Sequence, residues 1–247
     1  MKLLTFSLFG NFGAFRDPSV TSNQTVYYIP SKSAVIGILG AIIGVERTNS
    51  LGELYGSEYL KLFKDTKIGI KYDSSPMKII FFTNHRSLKE PKTKPYKTEL
   101  VEKPNYRIFV QTNDFYHETI KKLIEENKFK YSPYLGHVYC PAIIQDLKIY
   151  EANVIDDAQD KVTSSVILDE SETYKYDFTL RINSMSDDSK VIIERHIHHF
   201  YNPDGYLDRR VLKHWIPVSS CFSIERDSQR DLSYFVTFGQ DEVVCLF

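Results

Sequence analysis

Cysteine is scarce in this sequence of 247 residues. The three cysteines, Cys140, Cys221 and Cys245, are odd in number, far apart and in no CxxC pair. This pattern excludes the disulfide framework of a small secreted domain and gives no cysteine-based zinc site. We therefore expect a reducing, cytoplasmic setting and no cofactor.

Long apolar runs are also missing. The longest uncharged apolar run, residues 34–45, falls short of the roughly 18 residues that a membrane-spanning helix needs. Residues 1–15 are apolar, but they alternate in the manner of a strand and lack a small-residue cleavage site. We predict a strand there, no signal peptide and no membrane partner.

Net charge is close to zero, yet the charges are divided unevenly along the chain. Residues 1–150 contain 21 Lys and Arg against 14 Asp and Glu, a net charge of +7. Residues 151–247 contain 10 against 18, a net charge of −8. Such segregation is typical of a chain in which one half binds a polyanion. The simpler alternative is that the basic side chains only solvate surface helices and loops.

The basic excess is concentrated in residues 86–107, RSLKEPKTKPYKTELVEKPNYR, with seven Lys or Arg, three prolines and two tyrosines. The prolines exclude a regular helix, so this insertion, about residues 84–107, is predicted to be a long basic loop or an extended hairpin. Cations neutralise phosphates and tyrosines stack on unpaired bases, which favours RNA binding over a surface excursion without function. The candidate side chains are Arg86, Lys92, Lys94, Tyr96, Lys97 and Arg107.

Hydrophobic periodicity predicts the order of the elements. Strands are expected at residues 2–10, 67–72, 77–84, 106–112 and 141–150, and helices from Ser31 or Ser33 to about residue 45 and over 115–126. The β-α-β-β-α-β order is that of the ferredoxin-like unit, which RNA-recognition modules also use. We therefore predict an α+β fold with a ferredoxin-like domain over residues 1–150 and a β-rich C-terminal domain over residues 151–247.

The helix predicted near residue 31 is apolar on every side, which indicates a buried helix. Gly37, Gly40 and Gly44 recur at three and four residues and form one stripe, where the backbone is expected to approach a sheet or another backbone closely. The N-terminal turn, Ser31 to Ser33, offers free N–H groups, two hydroxyls and the Lys32 ammonium, which predicts an anion site. The alternative is a capped core helix with no binding role.

The run FRDPSVTSNQTVYYIPSKSAVIGILGAIIG, followed at residues 133–142 by PYLGHVYCPA, resembles the fifth CRISPR-associated (Cas) family. This family supplies the RAMP-superfamily subunit of Cascade complexes, and the chain is most similar to its type I-B branch. In the family an Arg-bearing loop leads to a tyrosine, a P-[ST]-x-[ST/A] turn and a G-x-x-G-A helix. The matching positions here are Arg16, Tyr27 or Tyr28, residues 30–33, and Gly37, Gly40 and Ala41.

The resemblance implies a binding role. Such a subunit caps one end of a type I Cascade, grips the 5′ handle of the crRNA and contacts the backbone subunit and the large subunit. It meets target DNA only through the complex. The basic insertion resembles the thumb of the family. The RNA-contacting residues that the resemblance implies near the N-terminus are Arg16, Thr25, Tyr27, Ser31, Lys32 and Ser33.

The main alternative is a metal-independent endoribonuclease. The type I-C branch of the family, which the chain also resembles, cuts precursor crRNA with a tyrosine, a lysine and a histidine. Tyr28, Lys32 and His85 could supply the base, the acid and the cation that such chemistry needs. The adjacent Lys-His pair expected of that branch occurs only at residues 213–214, so we expect no catalytic activity.

Two further classes are disfavoured. An RNA-recognition protein acting outside any complex would carry a glycine in its middle strands, which KIIFFTN and YRIFVQT lack. A metal site would use His196 and His198, which share one face of a strand while His199 points to the other. No Asp, Glu or Cys partner stands at a useful spacing, so we expect no metal.

Overall fold

The structure of the protein, a computed structural model, describes residues 1–21, 23–48, 54–73, 77–86, 92–156, 158–168, 178–184, 190–202, 206–226 and 234–247. It is a strand-rich mixed α/β fold. The helices in these residues are α1 (Lys32–Ile43), α2 (Ser57–Asp65) and α3 (Asp114–Glu125). The strands are β1 (Lys2–Phe9), β2 (Phe12–Gly13), β3 (Lys67–Tyr72), β4 (Met77–Arg86), β5 (Thr93–Glu102), β6 (Asn105–Gln111), β7 (Ile143–Ile155), β8 (Ala158–Val162), β9 (Val166–Leu168), β10 (Phe178–Ser184), β11 (Lys190–Tyr201), β12 (Leu207–Val218), β13 (Ser220–Arg226), β14 (Tyr234–Phe238) and β15 (Glu242–Leu246).

Nine of these strands form one sheet in the order β10-β13-β8-β15-β14-β7-β1-β6-β3. Within its β7-β1-β6-β3 portion every neighbouring pair is antiparallel. The sheet curls back on itself, because Ile68 in edge strand β3 exchanges two backbone hydrogen bonds, of 2.9 and 3.0 Å, with Phe247 just after β15. The last residue of the sequence is thereby fixed against the first half of the chain.

Strand β7 joins the two halves of the sequence. Its first part pairs with β1, where Lys2 lies opposite Glu151, and its last part pairs with β14, where Phe235 lies opposite Ile155. The strand therefore passes through the boundary predicted between residues 150 and 151. The division into two domains stays a prediction.

The two helices predicted from periodicity and caps are confirmed. Helix α1 is capped by Ser31, whose Oγ accepts a hydrogen bond from the Ala34 N–H, and α3 is capped by Asn113, whose Oδ1 accepts from Tyr116. The large apolar side chains of α1 belong to the same buried cluster as those of β1, which anchors the helix to the sheet; they are Val35, Ile36, Ile38, Leu39 and Ile42 with Leu4, Phe6 and Leu8.

Helix α2 was not predicted. Its buried side chains, Tyr59, Leu62 and Phe63, follow the i, i+3, i+4 spacing of an amphipathic helix, so the signal was present in the sequence. The helix is short and its N-cap is Gly56, which makes no side-chain capping bond. Without a capping side chain the usual start signal is missing.

The basic insertion forms a hairpin, so the loop interpretation was wrong and the hairpin interpretation is confirmed. Strands β4 and β5 pair antiparallel from Met77 opposite Glu102 to Arg86 opposite Thr93. The hairpin begins earlier than predicted and ends at residue 102, because residues 105–111 form β6 in the main sheet. Residues 87–91 of the predicted insertion lie outside the described residues.

The glycines of α1 do not form a uniform close-contact stripe. A Cβ atom on Gly40 would lie 2.8 Å from the backbone oxygen of Val45, and one on Gly44, where φ is +87°, would lie 2.8 Å from Cγ of Lys130. A Cβ atom on Gly37 would meet no heavy atom within 4 Å. Close backbone approach is thus confirmed only at Gly40, and its partner is the end of the same helix rather than a sheet.

The second sheet of interest is a three-stranded one in which β11 pairs with β12 and β12 pairs with β9. Strands β11 and β12 are each 12 residues long and run antiparallel along their full length, with Glu194 opposite His214. Both α1 and α2 lie against β11. Among the described residues, no helix is long and apolar enough to cross a membrane.

The surroundings of Gly40 and Gly37 predict opposite effects on stability when each is replaced by alanine. Gly40→Ala should lower the free energy of unfolding by about 1–3 kcal/mol, because its Cβ collides with the Val45 carbonyl. Gly37→Ala should raise it by up to about 1 kcal/mol, because alanine favours the helix and the site is open. Urea unfolding of both variants measures the difference. A Gly40→Ala variant as stable as the parent would contradict the proposed close approach.

Candidate nucleic-acid interface

A cavity of about 720 Å³ opens along one side of α1. We call it the tyrosine cleft. Its walls come from the segment before α1, from the residues around α2, from residues 131–136 and from β11 and β12. The residues that line it are Phe15, Arg16, Tyr27, Ser31, Ser33, Ala34, Gly37, Ile38, Ala41, Val45, Glu46, Arg47, Tyr55, Tyr59, Tyr131, Ser132, Pro133, Tyr134, Gly136, His199 and Arg209.

The floor of the cleft is one face of α1 that carries small side chains. Ala34, Gly37 and Ala41 recur at the spacing of a single helix face and line the cavity. Gly37 is exposed, and a side chain there would project into open space. The absence of side-chain volume at this face is what leaves room for a ligand.

Backbone hydrogen bonds join the two arms of the segment before α1 and hold Arg16 and Thr25, two of the predicted residues, in place. Tyr27 N donates to Phe15 O at 2.8 Å, and Asp17 N donates to Thr25 O at 2.9 Å. Arg16 lies between these two bonds and is exposed at the cleft. The Oγ1 atom of Thr25 is buried and has no hydrogen-bond partner in the part of the chain that the structure describes.

Tyr27 forms part of the wall of the cleft but is itself buried. Its hydroxyl donates to Asp17 Oδ1 at 3.0 Å, and its ring stacks on that of His196 with the centroids 3.8 Å apart. Burial, followed by the hydrogen bond to Asp17, raises the pKa of Tyr27. Burial raises the pKa of Asp17, but hydrogen bonds from Ser19 and Tyr27 outweigh it and leave that pKa lowered. Tyr27 is therefore a neutral wall element beside an ionised carboxylate.

The first turn of α1 divides the predicted anion site. Ser31 and Ser33 line the cleft, and their hydroxyl oxygens lie 3.0 Å apart. Lys32 lines a second, smaller cavity of about 150 Å³, where its Nζ lies 4.9 Å from the centroid of the Phe63 ring. Burial, followed by repulsion from Lys67, lowers the pKa of Lys32 to about 7. The ammonium does not join the two serines in one site.

The cleft also contains side chains that the sequence did not single out. Tyr55 stacks on Tyr59 with the centroids 5.6 Å apart, and the Arg47 guanidinium lies 5.2 Å from the centre of the Tyr55 ring. Burial raises the pKa of Tyr59 to about 12. Arg209 and His199 come from β12 and β11, about 150 residues away along the chain. No local pattern links such distant positions.

Residues 131–136 form the opposite wall of the cleft. The Tyr131 hydroxyl donates to Glu46 at 2.9 Å, and Tyr134 is exposed. A Cβ atom on Gly136, where φ is +83°, would lie 2.4 Å from the backbone oxygen of Ala14, so only glycine lets this wall approach the N-terminal segment. Part of the PYLGHVYCPA motif is therefore a structural support of the cleft.

The predicted residues of the basic insertion lie away from the cleft. Arg86, Lys92, Lys94, Tyr96 and Lys97 belong to the hairpin and do not line the cavity. Lys97 forms an ion pair of 3.3 Å with Glu99.

Arg107 lies outside the hairpin. It is in β6 and forms an ion pair of 3.3 Å with Asp73. The predicted RNA-binding residues are thus distributed among the segment at the cleft, the smaller cavity, the hairpin and strand β6.

The structure does not bring Tyr28 and Lys32, two of the three residues considered for nuclease chemistry, into one cavity. The ring of Tyr28 lies 4.0 Å from Lys78 Nζ, and its backbone N–H donates to Glu194 Oε2 at 2.8 Å. Lys32 lies in the smaller cavity, which Tyr28 does not line. The third residue, His85, has a side chain that lies outside the described part of the structure. Burial and the negative charge of Glu194 raise the pKa of Tyr28, which keeps its hydroxyl protonated.

Comparisons with known proteins give the following similarities. Residues 3–213 match the model of a family described as CRISPR-associated protein (Cas_Cas5). A solved chain from a CRISPR RNA-guided surveillance complex is similar with a TM-score of 0.50 and 13% identity, over 93% of this chain and 95% of that chain. A CRISPR protein from Archaeoglobus fulgidus is similar with a TM-score of 0.49 and 14% identity, over 99% and 98%. No curated protein matches the chain.

Lys32, a half-buried residue whose ammonium lies over the Phe63 ring, predicts a dependence of stability on pH. Lys32 has a pKa of about 7 in the folded chain against 10.5 when unperturbed, so between these values the unfolded chain binds one proton more. Stability should therefore rise with pH across this window. Lys32→Met should be more stable than the parent by about 2–4 kcal/mol at pH 7, and this gain should shrink towards pH 10.

The matched control is Lys64→Met, which removes an exposed cation at the rim of the same cavity. Its unfolding free energy should follow the parent at every pH. Urea unfolding between pH 6 and 10 would contradict the burial of the Lys32 ammonium if the curves of parent and Lys32→Met ran parallel.

Proposed function

The chain belongs to the CRISPR-associated Cas5 family, and from this we propose that it is a non-catalytic crRNA-binding subunit of a type I Cascade effector complex. In this proposal it caps the 5′ handle of the crRNA and contacts the backbone subunit and the large subunit in the cytoplasm. It meets target DNA only through the assembled complex. No cofactor takes part.

The tyrosine cleft is the observation that carries the proposal. Three arginines and five tyrosines line it, against one glutamate. Guanidinium groups pair with phosphates, and tyrosine rings stack on unpaired bases whatever their sequence. The 720 Å³ volume lies within the range of 300–1,000 Å³ that is typical of small-ligand pockets, which suits a flipped or terminal nucleotide.

The order of the strands supports the proposal that the first half of the chain forms a ferredoxin-like unit. In the β7-β1-β6-β3 portion of the sheet, α1 lies in the connection from β1 to β3 and α3 in the connection from β6 to β7. This connectivity and strand order are those expected of a ferredoxin-like βαββαβ unit. We propose that the β4–β5 hairpin, inserted between β3 and β6, is the thumb of this unit.

The thumb is proposed as a second RNA-binding surface. Arg86, Lys92 and Lys94 are exposed on it and belong to its distal half. Phe82 is 73% exposed and Tyr96 is exposed as well, so aromatic faces lie next to cations on the same hairpin. This mixture suits a single-stranded backbone with splayed bases.

An endoribonuclease is kept as a second candidate because of one observation. The pKa of Lys32, lowered to about 7, is of the kind that general acid or base catalysis requires. Against it, Tyr28 and Lys32 do not line a common cavity.

Filling the cleft should separate RNA binding from stability. Gly37→Leu places a four-carbon side chain in the open floor, so affinity for an RNA carrying the 5′ handle should fall at least about tenfold, while the melting temperature is not lowered. Gly37→Ala is the matched control and should bind RNA like the parent. Fluorescence anisotropy titration and thermal unfolding measure the two effects.

Two results would contradict different parts of this proposal. Failure of the parent chain to bind the RNA would remove the binding function, whereas parent-like binding by Gly37→Leu would remove only the cleft as its site. The same samples on a denaturing gel test the second candidate. Cleavage at one position by the parent, abolished in Tyr28→Phe, would replace the binding-only role by the nuclease.

Salt dependence should report the binding of phosphates by the thumb. Lys92→Ala with Lys94→Ala should weaken binding and reduce the slope of log affinity against log salt by about 0.7 for each phosphate that the variant no longer neutralises. Lys148→Ala with Lys190→Ala removes two exposed lysines outside the hairpin and the cleft, and should leave the slope unchanged. Equal slopes for the thumb variant and this control would rule out phosphate binding at the thumb.

A further inference from the structure

Three imidazoles meet beneath Tyr27, behind the wall of the tyrosine cleft. His196 and His198 lie on one face of β11, and His214 comes from the neighbouring strand β12. All three histidines are buried, with exposed fractions of 0%, 2% and 0%. One ring nitrogen of each lies within 4.8 Å of one ring nitrogen of the others. Sequence spacing alone had supplied only the first two of these histidines.

The hydrogen bonds within the cluster do not give every buried ring nitrogen a partner among the described residues. His198 Nε2 and His214 Nε2 are in direct contact, and one N–H can serve that pair. His196 Nε2 lies 3.1 Å from Glu194 Oε2. The Nδ1 atoms of His196 and of His214 are buried and have no hydrogen-bond partner among the described residues. Buried polar atoms without a partner are rare and cost free energy, so they call for an explanation.

We propose that His196, His198 and His214 bind a single divalent transition-metal ion of the zinc class. Three imidazole nitrogens form a donor set that suits Zn²⁺, Co²⁺ and their neighbours, whereas Mg²⁺ and Ca²⁺ require oxygen ligands. The ion accepts one lone pair from a ring nitrogen of each histidine. The proposal departs from the sequence expectation of no metal, because the third histidine, His214, comes from another strand.

The surroundings have the features of a built metal site. Glu194 bonded to His196 provides the carboxylate that commonly orients a ligating imidazole. The Tyr27 ring on one side and the Phe247 ring, 5.8 and 5.5 Å from the centroids of His198 and His214, form apolar walls. His198 also lines the cavity of about 150 Å³ that holds Lys32, which gives an ion a path inward.

The ion would fasten β11 to β12 under the wall of the cleft. The three ligands come from two strands, and Glu194 and Tyr27 connect them to the segment before α1. The role is structural, and it does not depend on whether the cleft binds RNA.

The test uses the full chain without an affinity tag, stripped with a chelator and titrated with Co²⁺ and Zn²⁺. We expect about one ion per chain by elemental analysis, and the visible spectrum of tetrahedral cobalt without a thiolate charge-transfer band. His214→Gln should lose at least about tenfold in affinity. His137→Gln, which removes an exposed histidine far along the chain, is the control and should bind like the parent.

A second measurement keeps the proposal testable should His214→Gln fail to fold. Zn²⁺ at about a hundredfold excess over its dissociation constant should raise the melting temperature of the parent by about 5–10 °C, and Mg²⁺ should not. Absence of binding by the parent, a thiolate band, or unchanged affinity in His214→Gln would each overturn the site.

Discussion

The Glu194 carboxylate is the group on which the arrangement of the cleft depends. Its side chain is 11% exposed. It accepts a backbone hydrogen bond from Tyr28, lies 3.3 Å from Lys78 Nζ and lies 3.1 Å from His196 Nε2. These partners belong to the segment before α1, to the β4–β5 hairpin and to β11. A single buried acceptor therefore holds three distant pieces of chain in register, and its removal would leave several buried donors unsatisfied.

The two faces of helix α1 have different roles because their side chains differ in size. The large aliphatic face is part of the core and fixes the helix against β1. The small face, Ala34, Gly37 and Ala41, leaves the cleft open. Lys32 extends towards neither and lies over Phe63 in the smaller cavity. The helix thus positions a neutral serine pair at the cleft while it keeps the ammonium apart.

The division of charge between the halves of the sequence does not translate into two separate surfaces. Arg209 and His199, from the acidic half, line the same cleft as Arg16 and Arg47 from the basic half. They reach the cleft because β11 and β12 pair along their full length and β11 lies against α1 and α2. Net charge along a chain predicts a polyanion partner, but the site itself is assembled from both halves.

The sequence by itself determined the elements whose signals are local. Strand β3 lies where periodicity predicted it, α1 begins at a predicted cap, α3 begins within one residue of its predicted start, and the prolines of the insertion excluded a helix where a hairpin forms. The family resemblance was equally readable, because its motifs are contiguous. Local rules work here because a cap, a turn or an amphipathic face involves residues only a few positions apart.

Only the tertiary structure decided the site. It placed Lys32 away from Ser31 and Ser33, gathered Tyr55, Tyr131 and Arg209 around α1, and brought His214 to His196 and His198. The histidine cluster depends on the pairing of β11 with β12, and Arg209 reaches the cleft because it lies on β12. Strand register is set by packing between segments that are far apart in sequence, and no local pattern of residues contains that information.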